Sequence, residues 1–451
     1  MTIYGPTYEE MLRPGKLPAE LRKQALAARG DELNPLNLFN ITWRDEQNRI
    51  RHVVLPRALT GIEANIIILL GRQFPSGSHK VGPAYATLME GELAGEIRRG
   101  ESTVIGPSTG NFGIGVAYIA KLKGYDAVVI MPEEMSAERY QRIRRYGGRL
   151  DLTPGSESDV ILVLERTEAY KKDPRDKVLA QFELLPNYRF HRYVTGRSAL
   201  EAAADCGDGR VAAFVAAPGS AGTLAAGDEI KSVFPDAVVC ALEPRECSTL
   251  FNNGRGTHRI EGIGDKMVTL IHNVLTTDYV ALIHDWDCIR GLKLMQEAEG
   301  AFGAQFRPAA GTEPALRGQF GISGVCNIIG SIKMAKELGL GRDQNIVTIA
   351  TDSFDRYPSV IEEMERKEGP VPESRLREWH QTIFLAADTS EILDLRPPAQ
   401  KQRLFAQKEE VWTKFGYSAE HLKRMQSQSF WEAEYAQIAE MDRGWRARRG
   451  S

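Results

Sequence analysis

Short apolar, β-branched runs alternate along the chain with longer amphipathic stretches, and this alternation constrains the fold more than any other feature. The runs cover residues 66–70, 102–105, 127–131, 160–163, 211–216, 237–242 and 345–350. Runs of this length, apolar throughout, mark strands buried on both faces of a parallel sheet. Between them, residues 85–98, 114–123 and 137–146 carry apolar side chains three and four apart, which predicts helices. Strand and helix in alternation predict an α/β fold with parallel sheets. Residues 1–60 mix prolines and charges, include an exposed-looking segment at 43–51, and read as an extension packed on the core. After Arg366 the character changes to a charged stretch with Trp379, Trp412, Trp431 and Trp445 and helical spacing over 399–446, so the sheet is expected to end before it.

Composition narrows the function classes. The chain has 451 residues, 42% hydrophobic and 26% charged, the balance of a globular protein. Lys and Arg total 57 against 60 for Asp and Glu, and a net charge of -3 supplies no field for nucleic acid or an anionic membrane surface. No apolar run approaches the roughly 20 residues that span a bilayer. The residues Met1 to Pro6 lack a basic stretch followed by an apolar core, so a cytoplasmic protein is expected. Five cysteines without a C-x-x-C pair argue against a disulfide framework or a zinc ribbon, and no histidine pair has metal-ligand spacing. No metal is expected.

Four segments at predicted strand-to-helix junctions carry chemistry. In Pro75-Ser76-Gly77-Ser78-His79-Lys80 a lysine follows small residues at a helix start, where desolvation and a fixed orientation favour a nucleophilic amine. A plain surface lysine fits the same segment. In Gly106 to Gly115 the residues Ser108, Thr109, Gly110 and Asn111 present hydroxyls and backbone N–H groups at a helix amino terminus, a site suited to a carboxylate or simply a helix cap. Gly219, Ser220, Ala221, Gly222 and Thr223 form a glycine-rich turn before a helix at 224–233, with the architecture of a phosphate cup and no following lysine of a Walker loop. Ser323, on the tight turn Gly321-Ile322-Ser323-Gly324, offers a neutral hydroxyl to a ring nitrogen or caps a helix.

In this order the segments resemble those of the fold-type II pyridoxal phosphate enzymes, most closely the cysteine synthase and cystathionine β-synthase branch. Gly77-Ser78-His79-Lys80 is similar to the family's Schiff-base lysine segment, Ser108-Thr109-Gly110-Asn111 to its Ser-x-Gly-Asn loop, and 219–223 to its phosphate loop. Glu243-Pro244, His258 to Gly264 and the Arg356-Tyr357 pair also look like family positions. The resemblance implies two doubly wound parallel-sheet lobes of the tryptophan synthase β type, with a helical carboxyl-terminal segment added. The small lobe would be 100–195 and the large lobe 61–99 with 196–366, flanked by extensions 1–60 and 367–451. It implies pyridoxal 5'-phosphate held by Lys80, Asn111, the 219–223 turn and Ser323, with the substrate carboxylate on Ser108, Thr109, Gly110 and Asn111. It further implies a homodimer and a small amino-acid substrate.

The implied reaction is β-elimination or β-replacement on a β-substituted L-amino acid of the serine, O-acylserine, O-phosphoserine or cysteine type, through an aminoacrylate. Lys80 would act as the base for the α proton, and a neutral Ser323 would disfavour transamination and racemisation. An ammonia-lyase on the same scaffold and a non-catalytic interaction protein are the alternatives. His79 is expected to face the cofactor or pack beneath it, while His258 and His272 fall where the family closes over substrate. Departures are Val81-Gly82-Pro83 after the lysine and an apparent insertion at 302–317.

Overall fold

The structure, a computed structural model, describes residues 4–108, 110–313 and 315–450. Its strands in chain order are β1 (His52–Val54), β2 (Asn65–Leu70), β3 (Thr103–Pro107), β4 (Asp126–Pro132), β5 (Arg149–Thr153), β6 (Asp176–Val178), β7 (Val211–Ala216), β8 (Val238–Pro244), β9 (Tyr279–Ile283), β10 (Asn345–Ala350) and β11 (Ile392–Asp394). Among the described residues they form two sheets, ordered β1-β2-β10-β7-β8-β9-β11 and β5-β4-β3-β6. Pairing in the smaller sheet is parallel throughout. In the larger one β1 and β11 run antiparallel to their neighbours and close the two edges.

The continuous apolar runs follow from burial on both faces. Along β2, Ile67 and Leu69 join one core, while Ile66, Ile68 and Leu70 join the other. Each central strand therefore contributes to two apolar layers at the two-residue period of a strand.

Several expectations are corrected. The run at 160–163 begins the helix Val160–Tyr170, whose buried residues Val160, Val163, Leu164 and Thr167 follow helical spacing. The sheet does not end before the carboxyl-terminal stretch, because β11 pairs with β9. Trp43 is buried, 1% exposed, and its Nε1 donates to Thr195 Oγ1 at 3.0 Å. The carboxyl-terminal helices pack on the chain itself: Trp412 Nε1 donates to the Val268 carbonyl at 2.8 Å and Trp445 Nε1 to that of Gly5 at 2.9 Å. The long helix Asp285–Phe302 runs into the stretch read as an insertion, which begins with a short helical turn, Gly303–Phe306.

Candidate active site

Sheet order gathers the four sequence segments. The parallel neighbours β2, β10 and β7 bring their carboxyl ends to one edge, and these ends lead into the segments containing Lys80, Thr351-Asp352 and 219–223. Ligand sites of open α/β sheets form at such edges. From the smaller sheet, β3 leads into Ser108 and the helix Asn111–Lys123. That helix approaches the Val81–Ala94 helix closely, since a Cβ on Gly115 would lie 3.0 Å from Val81 Cα. Lys80 and Asn111 thus stand together. With Ser108, Gly110, Gly219, Ser220 and Ser323 they line one narrow cleft. Ala221, Gly222 and Thr223 continue the turn behind it and are buried. Thr109 lies outside the described residues.

Lys80 precedes the Val81–Ala94 helix, and its side chain enters the interior, 8% exposed. Burial lowers its ammonium to about 8, against the opposing charges of Asp265 and Glu157. An amine so placed gives up its proton more readily than an exposed lysine, about a tenth of it being free at pH 7. The turn before it strains at Ser76, a non-glycine residue with φ +65°, and Arg356 Nη2 braces it by donating to the Ser76 carbonyl at 2.6 Å.

Asn111 is held rather than free. Its Nδ2 donates to Asp352 Oδ2 at 2.6 Å, and its Oδ1 accepts from Arg356 Nε at 2.7 Å. Tyr357 hydroxyl adds a donor to the same Asp352 oxygen at 2.8 Å. One Nδ2 hydrogen of Asn111 remains for a ligand. Ser108 Oγ accepts from the amides of Gly110 and Gly113 at 3.0 and 2.9 Å, so the serine shapes the loop while keeping its own hydroxyl proton to donate.

The 219–223 turn is tight. A Cβ on Gly219 would meet the Gly262 carbonyl at 2.6 Å, and Ala221 takes φ +65°. It runs into a short helical turn, Gly222–Leu224, and on into the helix Ala225–Val233, with the Leu224 amide donating to the Ala221 carbonyl and the Ala225 amide to that of Gly222. Asn187 Nδ2 fixes Ser220 Oγ at 2.9 Å and Thr269 Oγ1 fixes the Ser220 carbonyl at 2.8 Å.

The expected histidine positions divide. His79 is wholly buried beneath the lysine, between the rings of Trp43 and His191. His258 lines a separate pocket with Glu157, Arg259 and Glu261, and its Nε2 meets the Gly264 carbonyl at 3.1 Å. His272, contrary to expectation, lies away from the cleft under the carboxyl-terminal helix, with Nε2 2.8 Å from Thr277 Oγ1 and Lys408 donating to its carbonyl. Sequence reasoning missed Arg139, Glu157, Asp265 and Gln181, and gave Glu261, within the His258 to Gly264 stretch, no role. Arg139, which lies against Gly110, pairs with Glu261 at 2.8 Å.

Comparison with known proteins decides the family. The model of the family described as pyridoxal-phosphate dependent enzyme matches residues 53–312, more than half of the chain. A cysteine synthase of Staphylococcus aureus is 30% identical over 313 residues, covering 69% of this chain and 91% of that protein. The chain belongs to the pyridoxal-phosphate dependent enzyme family. Among solved members of this fold, a hydrogen sulfide-producing enzyme of Fusobacterium nucleatum is 26% identical with a TM-score of 0.58, covering 68% of this chain and 95% of that one. A variant of another hydrogen sulfide-producing enzyme, described as complexed with an α-aminoacrylate intermediate, is 26% identical with a TM-score of 0.60, covering 76% and 92%.

Pyridoxal phosphate is the cofactor of this family, and the residues present fit it. A buried amine, a strained glycine turn at a helix start and a neutral serine line one cleft. The donor set matches an aldehyde, a phosphate and a ring nitrogen in turn.

Proposed function

We propose that the chain catalyses β-elimination or β-replacement on a small β-substituted L-amino acid, of the serine, O-acylserine, O-phosphoserine or cysteine type. The observation that carries this reading is the convergence of Lys80, Ser108, Asn111, Ser220 and Ser323 on one cleft. When bound, pyridoxal phosphate supplies an electron sink for the α-carbon. The chain's own residues orient and move protons around it. Lys80 would anchor the cofactor, and its free amine would take the α proton. Its lowered affinity for protons suits that task. The amides of Gly110 and Asn111, at the start of the Asn111–Lys123 helix, hold the substrate carboxylate, together with the Ser108 hydroxyl and Thr109. The 219–223 turn holds the phosphate. Ser323, uncharged, accepts or donates one hydrogen bond at the ring nitrogen without fixing a proton there.

The lobe assignment proposed is 100–195 for the smaller and 61–99 with 196–366 for the larger. The proposed enzyme is a cytoplasmic homodimer of the lyase or transferase class, as the resemblance implies. The test is product analysis with serine, O-acetylserine, O-phosphoserine, cysteine and threonine, each with and without added sulfide. A β-substituted alanine with sulfide, or pyruvate and ammonia without it, supports the reading. Turnover of threonine alone to a keto acid and ammonia would replace it with an ammonia-lyase.

A further inference from the structure

The Asp352 carboxylate and the Arg356 guanidinium grip the Asn111 amide rather than each other. Arg356 Nε stands 2.7 Å from Asn111 Oδ1 but 3.8 Å from Asp352 Oδ2, while that carboxylate oxygen accepts from Asn111 Nδ2 at 2.6 Å. Nε carries one hydrogen, and the amide takes it. Both charged side chains are wholly buried. Tyr357 hydroxyl accepts from Arg139 Nη2 at 3.1 Å, so its single proton goes to Asp352 Oδ2 at 2.8 Å as a second donor there. Asp352 Oδ1 has no hydrogen-bond partner among the described residues, and Gly321 closes over it: a Cβ on that glycine would lie 1.9 Å away. A buried carboxylate with one bare oxygen is costly, so packing alone does not account for it.

The two charges fix which way the amide faces. Turned over, Asn111 would set its oxygen against the carboxylate and its NH2 against the guanidinium. With Oδ1 and one Nδ2 hydrogen engaged, Asn111 offers the cleft a donor only, and the ligand atom that meets it must bring a lone pair. Lys80 lines the same cleft. With the phosphate on the 219–223 turn and the aldehyde carbon at Lys80, the group of pyridoxal phosphate left for Asn111 is the oxygen on the neighbouring ring carbon.

We propose that Asp352 is a positioning residue: acting through Asn111, it keeps that ring oxygen deprotonated, with Arg356 as the second jaw of the clamp. The role rests on the cofactor and not on the reaction proposed for it. A ring oxygen that accepts from Asn111 keeps its negative charge, and the bound cofactor absorbs in the visible. An Asn111 free to turn its own oxygen inward would accept from a protonated ring hydroxyl instead, and the absorption would move to the near ultraviolet. Arg356 Nη2, on the Ser76 carbonyl at 2.6 Å, ties the clamp to the turn before Lys80. The amide and the lysine are thereby held by one guanidinium.

The experiment reads the absorption spectrum and the dissociation constant of pyridoxal phosphate on the full chain, without substrate, for the wild type, Asp352→Asn, Asn111→Ala, the double variant and Tyr357→Phe. Asp352→Asn is expected to move absorbance from the visible to the near ultraviolet and to weaken cofactor binding about tenfold. In the Asn111→Ala background the same substitution should change neither further, because its effect passes through the amide. Tyr357→Phe, which removes the other donor from the same carboxylate oxygen, should leave the spectrum as it is. An unshifted spectrum in a folded Asp352→Asn protein overturns the role, as does an equal shift with and without Asn111. Should Asp352→Asn not fold, amide NMR of the wild type decides. The two Asn111 Nδ2 hydrogens, identified by their loss in Asn111→Ala, should resonate far apart before pyridoxal phosphate is added, and its addition should move mainly the one not on Asp352. Near-equal shifts, or no response to the cofactor, overturn the role. A wild type that binds no pyridoxal phosphate overturns the cofactor reading, and this role falls with it.

Discussion

Arg139 Nε and Glu261 form an ion pair of 2.8 Å that joins the smaller sheet's layer to the loop above the larger sheet, with the arginine side chain wholly buried. The rest of the contact is equally bridging. Ser136 Oγ donates to Glu261 at 3.0 Å, Arg139 Nη2 donates to Tyr357 hydroxyl at 3.1 Å, and Ser359 Oγ donates to Glu138 at 2.8 Å. Burial works against the guanidinium charge, but Glu261, Tyr357, Glu157 and Asp352 together outweigh it and keep Arg139 more firmly protonated than usual. Arg139→Ala leaves a buried carboxylate without its cation. The expected cost is about 3–5 kcal/mol in denaturant unfolding, with a raised KM for the amino acid. Unchanged stability would mean that the pair adds nothing to closure.

Gly110 lies directly against that arginine. A Cβ there would stand 1.7 Å from Arg139 Nη1, so Gly110→Ala must displace either the loop or the guanidinium. The expected result is a KM for the amino-acid substrate raised at least about tenfold, equal to about 1.4 kcal/mol of binding, with cofactor affinity changed less. Steady-state kinetics together with cofactor titration separate the two effects.

The carboxyl-terminal helix Pro398–Trp412 reaches the 219–223 turn through backbone. Lys408 Nζ donates to the carbonyls of Leu270 and His272 at 3.1 and 2.6 Å, and the adjacent Thr269 holds the Ser220 carbonyl. Lys408→Met should therefore weaken pyridoxal phosphate binding about tenfold, about 1.4 kcal/mol, more than it lowers kcat of the saturated enzyme. Fluorescence titration of the cofactor-free chain measures it. An unaltered dissociation constant would confine the helix to a packing role.

Acid lability follows from the buried histidines. Burial lowers His258 to about 4, and His79, His191 and His272 fall well below the usual histidine range for the same reason. The unfolded chain binds these protons near pH 6.5 while the folded chain does not, so their contribution to stability is intact above that value and is lost as pH falls. His258 accounts for a loss of about 1.4 kcal/mol per pH unit between about 6.5 and 4. His258→Gln should flatten the wild-type stability profile by that slope over that window, as followed by denaturant unfolding at several pH values.

Much of this arrangement was legible in the chain because parallel strands buried on both faces need unbroken apolar runs, and β2, β7, β8 and β10 have them. The run at 160–163 failed as a strand because an apolar stretch of that length fits either period. Only its continuation, through Leu164 and Thr167, carries the helical spacing. The edge strands β6 and β11 are three residues each and half-buried, too short and too polar to announce themselves. Lys80, Asn111 and the glycine turn stand in local motifs. Asp265 and Arg139 do not: their burial comes from distant elements, and nothing in the neighbouring residues distinguishes them from surface charges.

The central claim is that Lys80 carries the cofactor, and borohydride reduction of the purified protein with pyridoxal phosphate, followed by peptide mass spectrometry, tests it most directly. The pyridoxyl phosphate adduct is expected on the peptide containing Lys80, and it should be lost together with the visible absorption band in Lys80→Ala. Half-buried Lys401 and buried Lys408 also hold their protons weakly, at about 8 and about 7. An adduct on either of these, or none on Lys80, would contradict the account.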